Sequence, residues 1–374
     1  VKRILFVATD VGTLVANRLP VILGARERGF DVEVACVDGP AAEILRQHNI
    51  VFHVLPIDRK GTNPFVELIG LIRLLRLIVR RKPDIVHAVA IKAVLYGGLA
   101  SRLARTPAFV GAIAGMGSIF IGSSGRMRRL RAVLTHLLVL ALNHRNCKII
   151  VQNPDDFDAM VQIGRVPPEN IQIIRGSGVR MADYTVEPEP ENTAVAVMVC
   201  RLLYDKGIRE FVEAARLVKR NMPDARFVVA GTQDPGNPSS VDDETLATWN
   251  AEGIVEFIGH SNDVAQLYAM SNLAVLPSYR EGLPKALIEA AACGRAVVTT
   301  DAPGCNFAIE AGKTGLLVPV KNVSALADAI QALLSNAAVR NAMGVQGRIF
   351  AENEFGIEIV VDQHLSAYES LTRT

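Results

Sequence analysis

Leu276 to Thr300 reads LPSYREGLPKALIEAAACGRAVVTT. An apolar run closes at Leu276, a polar turn follows, and Pro284 opens a helical segment that runs to Cys293. Proline suits a first helical turn, where its missing N–H would be unpaired anyway. Past Gly294 the chain re-enters a β-branched run, Ala296–Thr299. Strand, turn, helix and strand in this order make one unit of a parallel sheet, because parallel neighbours need a crossover connection.

The same alternation extends in both directions. C-terminal strand-like runs are Ala194–Val199, Arg226–Ala230, Ile254–Ile258, Leu273–Leu276 and Gly315–Val318, separated by helical patterns such as Lys206–Arg220 and Val323–Leu334. N-terminal ones are Ile4–Ala8, Val32–Val37, Val51–Pro56, Ile85–Ala88, Phe109–Ile113, Ile149–Val151 and Ile171–Ile174, with helical patterns at Ala16–Arg28, Pro64–Arg81, Lys92–Arg105 and Gly125–His144. Between the series lies a Pro- and Glu-containing stretch, Gly176–Asn192. The expected architecture is α/β: two facing Rossmann-like domains, residues 1–178 and 179–352, with a cleft between them. Residues 353–374 form a C-terminal helix expected to pack back towards the first domain. Ligands in such sheets bind beyond the carboxyl ends of the strands, at the topological switch point.

Of 374 residues, half are hydrophobic and a fifth charged, which describes a globular chain rather than a disordered one. The apolar run Ala132–Leu142, broken by His136, is too short for a bilayer, which takes about 20 residues. Val1-Lys2-Arg3 leads straight into the first strand, so no signal peptide is expected, and the missing Met suggests numbering just inside the native start. Five cysteines without C-x-x-C spacing or a His cluster argue against disulfides and structural zinc and for a reducing cytosol. The net charge of +2 hides a split, +11 up to Gly178 and −9 beyond it, which suggests two domains with different partners, one of them anionic.

Two segments carry candidate chemistry. In the first, Glu281 precedes the helix and Glu289 lies about one and a half turns inside it, while the free N–H groups of the first turn make an anion site. Carboxylates at those places suit sugar hydroxyls; equally, they suit a dipole-complementing residue and a solvated helix residue. In the second, VMVCRLLYDKG (Val197–Gly207), Arg201 and Lys206 follow a strand, placed to neutralise a diphosphate or simply to lie on the surface.

Together the segments resemble the family 4 glycosyltransferases, of the two-domain GT-B architecture. That family carries G/S-R-L-x-x-x-K-G and, some way downstream, E-G-x-x-x-x-x-x-E. Here these read Cys200-Arg201-Leu202 with Lys206-Gly207, and Glu281-Gly282 with Glu289, in the same order. Ala230-Gly231, Val255–His260, Leu267-Tyr268 and Pro277-Ser278 fit the stretch between, and Ile4–Ala8, Gly12 and Arg18-Leu19-Pro20 fit the N-terminal strand and loop. The resemblance implies that Arg201 and Lys206 bind the donor diphosphate, with Gly12 in a loop that lets the phosphates approach. It implies that Glu281 is catalytic and faces the donor sugar, with backbone N–H groups of Gly282 and Leu283 on sugar or phosphate oxygens. Glu289 would take the ribose, and the backbone of Ile258, Gly259 and His260 the base, most often uracil. Retention of anomeric configuration is implied too. One departure stands out: Ala112-Ile113-Ala114-Gly115-Met116-Gly117 has Ala114 where many members carry a histidine, so no catalytic histidine is assigned. His87 is a minor candidate and reads more readily as structural.

The stretch Asp234-Pro235-Gly236-Asn237-Pro238, with Trp249 and Val255–His260, is similar to bacterial enzymes extending polyprenyl-diphosphate-linked sugars for capsule, O-antigen or protein-glycan precursors. From Ile85 through Pro154 there is no acid but nine Lys and Arg, including Arg126, Arg128, Arg129 and Arg131; upstream, LIGLIRLLRLIVRRK (Leu68–Lys82) mixes apolar residues with cations. Such sequences suit anionic lipid as well as a solvated face over a core. No nucleic-acid motif is present. The expected protein is a retaining glycosyltransferase moving a hexose or N-acetylhexosamine from a UDP-sugar to a lipid-linked saccharide. It would act without metal or cofactor, peripherally at an anionic cytoplasmic membrane face. A GT-B nucleotide-sugar epimerase and a non-catalytic nucleotide-sugar-binding protein are the alternatives.

Overall fold

The computed structural model describes residues 1–57, 63–115, 125–163, 166–191 and 193–372, without the side chains of residues 64 and 125–133. The chain divides into two compact units, Val1–Ser177 together with the segment from Glu358 onward, and Gly178–Ile357.

The N-terminal unit holds a seven-stranded parallel sheet of β1 (Arg3–Val7), β2 (Asp31–Cys36), β3 (Val51–Val54), β4 (Ile85–Val89), β5 (Ala108–Ile113), β6 (Cys147–Val151) and β7 (Ile171–Ile173), in the order β3-β2-β1-β4-β5-β6-β7. Strand side chains alternate between two cores. Ile4, Phe6 and Ala8 enter one cluster, Leu5 and Val7 the other, so both faces of the sheet are covered. That is why these strands read as largely apolar runs, with Glu33 on β2, His53 on β3 and His87 on β4 among the polar exceptions.

The Gly178–Ile357 unit holds six parallel strands, β8 (Val195–Val199), β9 (Arg226–Ala230), β10 (Glu256–Phe257), β11 (Leu273–Leu276), β12 (Ala296–Thr300) and β13 (Gly315–Val318), ordered β10-β9-β8-β11-β12-β13. In each sheet the order reverses once, between β1 and β4 and between β8 and β11, which fixes where a ligand crevice can open.

The chain leaves the first unit after Ser177 and returns to it at Glu358, later than the change at residue 353 that the sequence suggests. Backbone pairing is the reason: the Val179 N–H donates to the Phe355 carbonyl and the Ile357 N–H to the Val179 carbonyl, so residues 355–357 stay with the second unit. The last helix, Ile357–Thr372, then buries Val360, Leu365, Tyr368 and Leu371 in the first unit's core. It packs so closely on the first helix that a Cβ at Gly24 would sit 2.6 Å from Val361 Cγ1.

The first helix is Val11–Glu27, starting five residues before the expected Ala16, because the Asp10 carboxylate accepts from the Thr13 N–H at 2.6 Å and caps it. Gly12 therefore lies in a helical first turn rather than in a loop. His87, on β4, is buried, 2.6 Å from the Tyr368 hydroxyl and against the rings of Phe6 and His364. Burial and the neighbouring His364 push its pKa well below the usual value, which marks a neutral packed imidazole.

Candidate active site

The site is built where β8, β9 and β11 end in the Gly178–Ile357 unit. After β8 the chain turns through Arg201 into a short 3₁₀ turn, Tyr204–Lys206, and then into helix Ile208–Asn221. Gly207 links the two with φ +74°, and a Cβ there would lie 2.1 Å from the Pro277 carbonyl oxygen. The Lys206-Gly207 pair thus exists because the turn must nest against the loop after β11. Gly231 is tighter still: a Cβ would fall 1.7 Å from the Cys200 carbonyl oxygen, and its N–H donates to the Gly259 carbonyl.

This nesting brings the two motifs together. Lys206 Nζ donates to Glu281 Oε1 at 2.5 Å, and the Ser278 hydroxyl donates to the same oxygen at 2.7 Å. Burial alone lowers the Lys206 pKa; the Glu281 carboxylate more than offsets it, and the net direction is up. Arg201 is held from behind by the largely buried Asp234 carboxylate, while its own side chain is 47% exposed. Beneath them the Cys200 thiol is pushed up to about 12 by burial and feels the charges of Lys206, Glu281 and Arg201. Two cations, each paired with a carboxylate from a distant position, therefore stand at the ends of β8, β9 and β11.

Helix Lys285–Ala292 follows. Pro284 is its N-cap rather than its first residue, and no side chain caps the first turn. Gly282 and Leu283 are buried just before it, the Glu281 N–H donates to the Pro303 carbonyl, and Gly304 lies so close that a Cβ would touch the Glu281 and Gly282 carbonyl oxygens at 2.4 Å. Glu289, in the helix, is buried and not solvated. Its Oε1 accepts from the Tyr184 hydroxyl at 2.8 Å and lies 3.4 Å from Lys285 Nζ.

At the sheet edge, Ile258 and His260 are exposed and Gly259 has φ +72°. The Ile258 N–H donates to the Val229 carbonyl and the Gly259 carbonyl accepts from Gly231, so both groups are already engaged in the protein. Gly12 belongs to the other unit, where a Cβ would meet only Asp10 Oδ1 at an ordinary 3.5 Å. The backbone of Arg126, Arg128, Arg129 and Arg131 is helical, within Gly125–Leu142; their side chains lie outside the described residues. Among the described residues no three His, Cys, Asp or Glu side chains gather as a metal-binding group. Two aspartates do stand at Asp-x-Asp spacing, the pattern in which paired carboxylates can share a cation. They are Asp156 and Asp158, in helix Pro154–Ile163 of the N-terminal unit, where Asp156 is buried and accepts from Asn153 at 3.0 Å.

Sequence reasoning left out three supporting residues: Ser278, Asp234 and Tyr184. Ser278 and Asp234 stand inside quoted stretches, Pro277-Ser278 and Asp234–Pro238, where a polar residue two to four positions past a strand end was the available signal. Nothing in the sequence ties Tyr184 to Glu289, 105 residues away.

Residues 182–350 match the model of the group 1 glycosyl transferases, and residues 3–153 that of the glycosyl transferase 4-like domain. The chain is 27% identical to the N,N'-diacetylbacillosaminyl-diphospho-undecaprenol alpha-1,3-N-acetylgalactosaminyltransferase of Campylobacter jejuni, over 99% of both chains. It is 26% identical to the UDP-Gal:alpha-D-GlcNAc-diphosphoundecaprenol alpha-1,3-galactosyltransferase of Escherichia coli, over 91% of this chain and 89% of that one. Among solved structures, Anabaena HepE in complex with UDP and glucose superposes with a TM-score of 0.80 over 99% of this chain and 100% of that one, at 21% identity.

Proposed function

The chain belongs to the group 1 glycosyltransferases, with a glycosyl transferase 4-like domain ahead of the group 1 domain, and we propose that it moves a hexose or N-acetylhexosamine from a UDP-sugar to a lipid-linked saccharide, with retention and without a metal ion. The observation that carries this reading is the convergence of Arg201, Lys206 and Glu281 at the β8/β11 switch point. A departing UDP develops charge on its diphosphate. The Arg201 guanidinium and the Lys206 ammonium, together with the uncapped first turn of Lys285–Ala292, would stabilise that charge where it forms. Glu281, fixed by Lys206 and Ser278, would face the sugar, and Glu289, fixed by Tyr184, the ribose. Since the Ile258 N–H and the Gly259 carbonyl are engaged in the sheet, base recognition falls to the remaining backbone groups of Ile258–His260.

The relatives from C. jejuni and E. coli, named for diphospho-undecaprenol acceptors, support the acceptor class, and the UDP-Gal of the latter supports the donor class. No helix among the described residues is long and apolar enough to cross a membrane. Peripheral attachment at the cytoplasmic face of a bacterial inner membrane, with the basic run Arg126, Arg128, Arg129 and Arg131 towards anionic lipid, suits such an acceptor.

The test is a panel of UDP-, GDP- and dTDP-sugars incubated with and without a polyprenyl-diphosphate-linked saccharide, read by product mass and by the anomeric proton coupling. Acceptor-dependent transfer from a UDP-sugar with the donor's configuration is the expected result. Interconversion of UDP-sugars without acceptor would make the protein an epimerase, and nucleotide binding without turnover a binding protein.

A further inference from the structure

Helix Pro64–Arg81 leaves six large apolar side chains in water: Phe65 is 77% exposed, Val66 43%, Leu68 55%, Ile69 48%, Ile72 40% and Val79 53%. At 100° per residue all but Val66 fall within an arc of about 100°, and Val66 lies about 60° beyond Ile69. Arg76, also exposed, lies inside that arc between Phe65 and Ile69, and the exposed Arg80 and Arg73 follow on the Ile69 side, between Ile69 and Val66. The opposite face is the one that packs: Gly70, Leu74 and Ile78 are buried. This helix is amphipathic twice over, with one apolar face in the core and a second, carrying cations, outside.

The charges are sorted in the same sense. Glu67 points inward, accepting from Lys92 Nζ and the Tyr96 hydroxyl, both at 2.7 Å. Arg81 also turns inward, onto the buried Glu33 carboxylate. What remains on the outer face is apolar area and positive charge. Isolated exposed leucines are ordinary, but an apolar stripe whose only charged members and neighbours are cations marks an interaction surface. Apolar side chains beside arginines match the acyl boundary and anionic headgroups of a membrane.

We propose that helix Pro64–Arg81 is a lipid-docking element, with Phe65, Leu68, Ile69, Ile72 and Val79 entering the bilayer surface and Arg73, Arg76 and Arg80 resting on anionic headgroups. The inference rests on the reading of the acceptor as lipid-linked, and it adds to the basic run Arg126–Arg131 a second helix that supplies the apolar contact.

The test is co-sedimentation of the full chain with vesicles of phosphatidylcholine containing phosphatidylglycerol. Leu68→Gln, Ile69→Gln and Ile72→Gln combined keep helix propensity, and circular dichroism and thermal melting check that the variant is folded. The expected result is a loss of vesicle binding of about tenfold or more, with transfer to a short water-soluble acceptor retained. Arg73→Gln, Arg76→Gln and Arg80→Gln should remove mainly the salt-sensitive part of binding, because headgroup attraction is screened over about 8 Å at physiological ionic strength. Unchanged vesicle binding by the folded apolar variant would overturn the proposal. If charge reversal at Arg126, Arg128 and Arg129 then released the chain, the membrane reading would stand without this helix. An unaltered protein that ignores anionic vesicles would end both. A dimer that the apolar substitutions convert to monomer would assign the face to a second copy and likewise overturn the proposal.

Discussion

Lys206 Nζ and Glu281 Oε1 lie 2.5 Å apart across 75 residues of sequence. The pair joins the loop after β8 to the loop after β11, the two strands that flank the reversal of the sheet. Asp234 holds Arg201 in the same way, so each cation of the proposed diphosphate site is already seated on a carboxylate. An ammonium fixed by one carboxylate oxygen loses little freedom when a phosphate arrives on its other side, which is what preorganisation means at such a site.

Arg201→Ala and Lys206→Ala should each weaken UDP binding by about 10- to 100-fold, the worth of about 1.5–3 kcal/mol for a hydrogen bond to a charged group. Uridine, lacking the phosphates, should bind as before. Isothermal titration with both ligands checks this. Equal weakening of the two would mean that the residues act through the fold.

Glu289→Ala should weaken UDP and uridine together, by about tenfold or more, because the ribose is common to both. Tyr184→Phe removes the hydroxyl that donates to Glu289 at 2.8 Å and should give a smaller loss of the same kind. Unchanged affinity for uridine in Glu289→Ala would contradict the ribose assignment.

Gly207→Ala and Gly231→Ala should each cost about 3 kcal/mol or more in stability, from positive φ combined with collision against a carbonyl. Denaturant melts of the full chain check it. Gly253→Ala has positive φ but nothing within 4 Å, and should cost about 1 kcal/mol.

The N-terminal unit should weaken in mild acid. His87 and His364 are buried, and burial pulls both below the ordinary histidine value, His364 to about 3. The unfolded chain therefore binds protons first, and stability is full above about pH 6.5. As the pH falls below that, it is lost at up to about 1.4 kcal/mol per unit for each histidine. Melts between pH 7 and pH 5, before carboxylates titrate, should show that slope, and His364→Gln should reduce it.

Much of this was legible beforehand, for identifiable reasons. Strands buried on both faces must be largely apolar, so Ile4–Ala8 and Ala296–Thr299 declare themselves. The two site motifs are singled out by their resemblance to the family 4 glycosyltransferases; spacing alone leaves Glu281, Glu289, Arg201 and Lys206 equally open to surface roles. What could not be read was set by contacts across long separations. Whether Glu281 complemented a helix dipole or met Lys206 depends on Gly207 fitting under Pro277. The early start of the first helix depended on one cap, Asp10, placed before a glycine and a threonine that look like loop. The leucines of Leu68–Lys82 looked alike in sequence; only packing divides buried Leu74 from exposed Leu68.

The most direct test of the account uses Glu281→Gln, which keeps side-chain length and removes the charge. Acceptor-dependent transfer from a UDP-sugar and the UDP dissociation constant are measured on the same preparation. The account requires transfer to fall by about 100-fold or more, with UDP affinity within about threefold of the unaltered protein. Transfer at the normal rate would contradict the catalytic assignment of Glu281, and parallel loss of UDP binding would place that carboxylate in the nucleotide site instead of at the sugar.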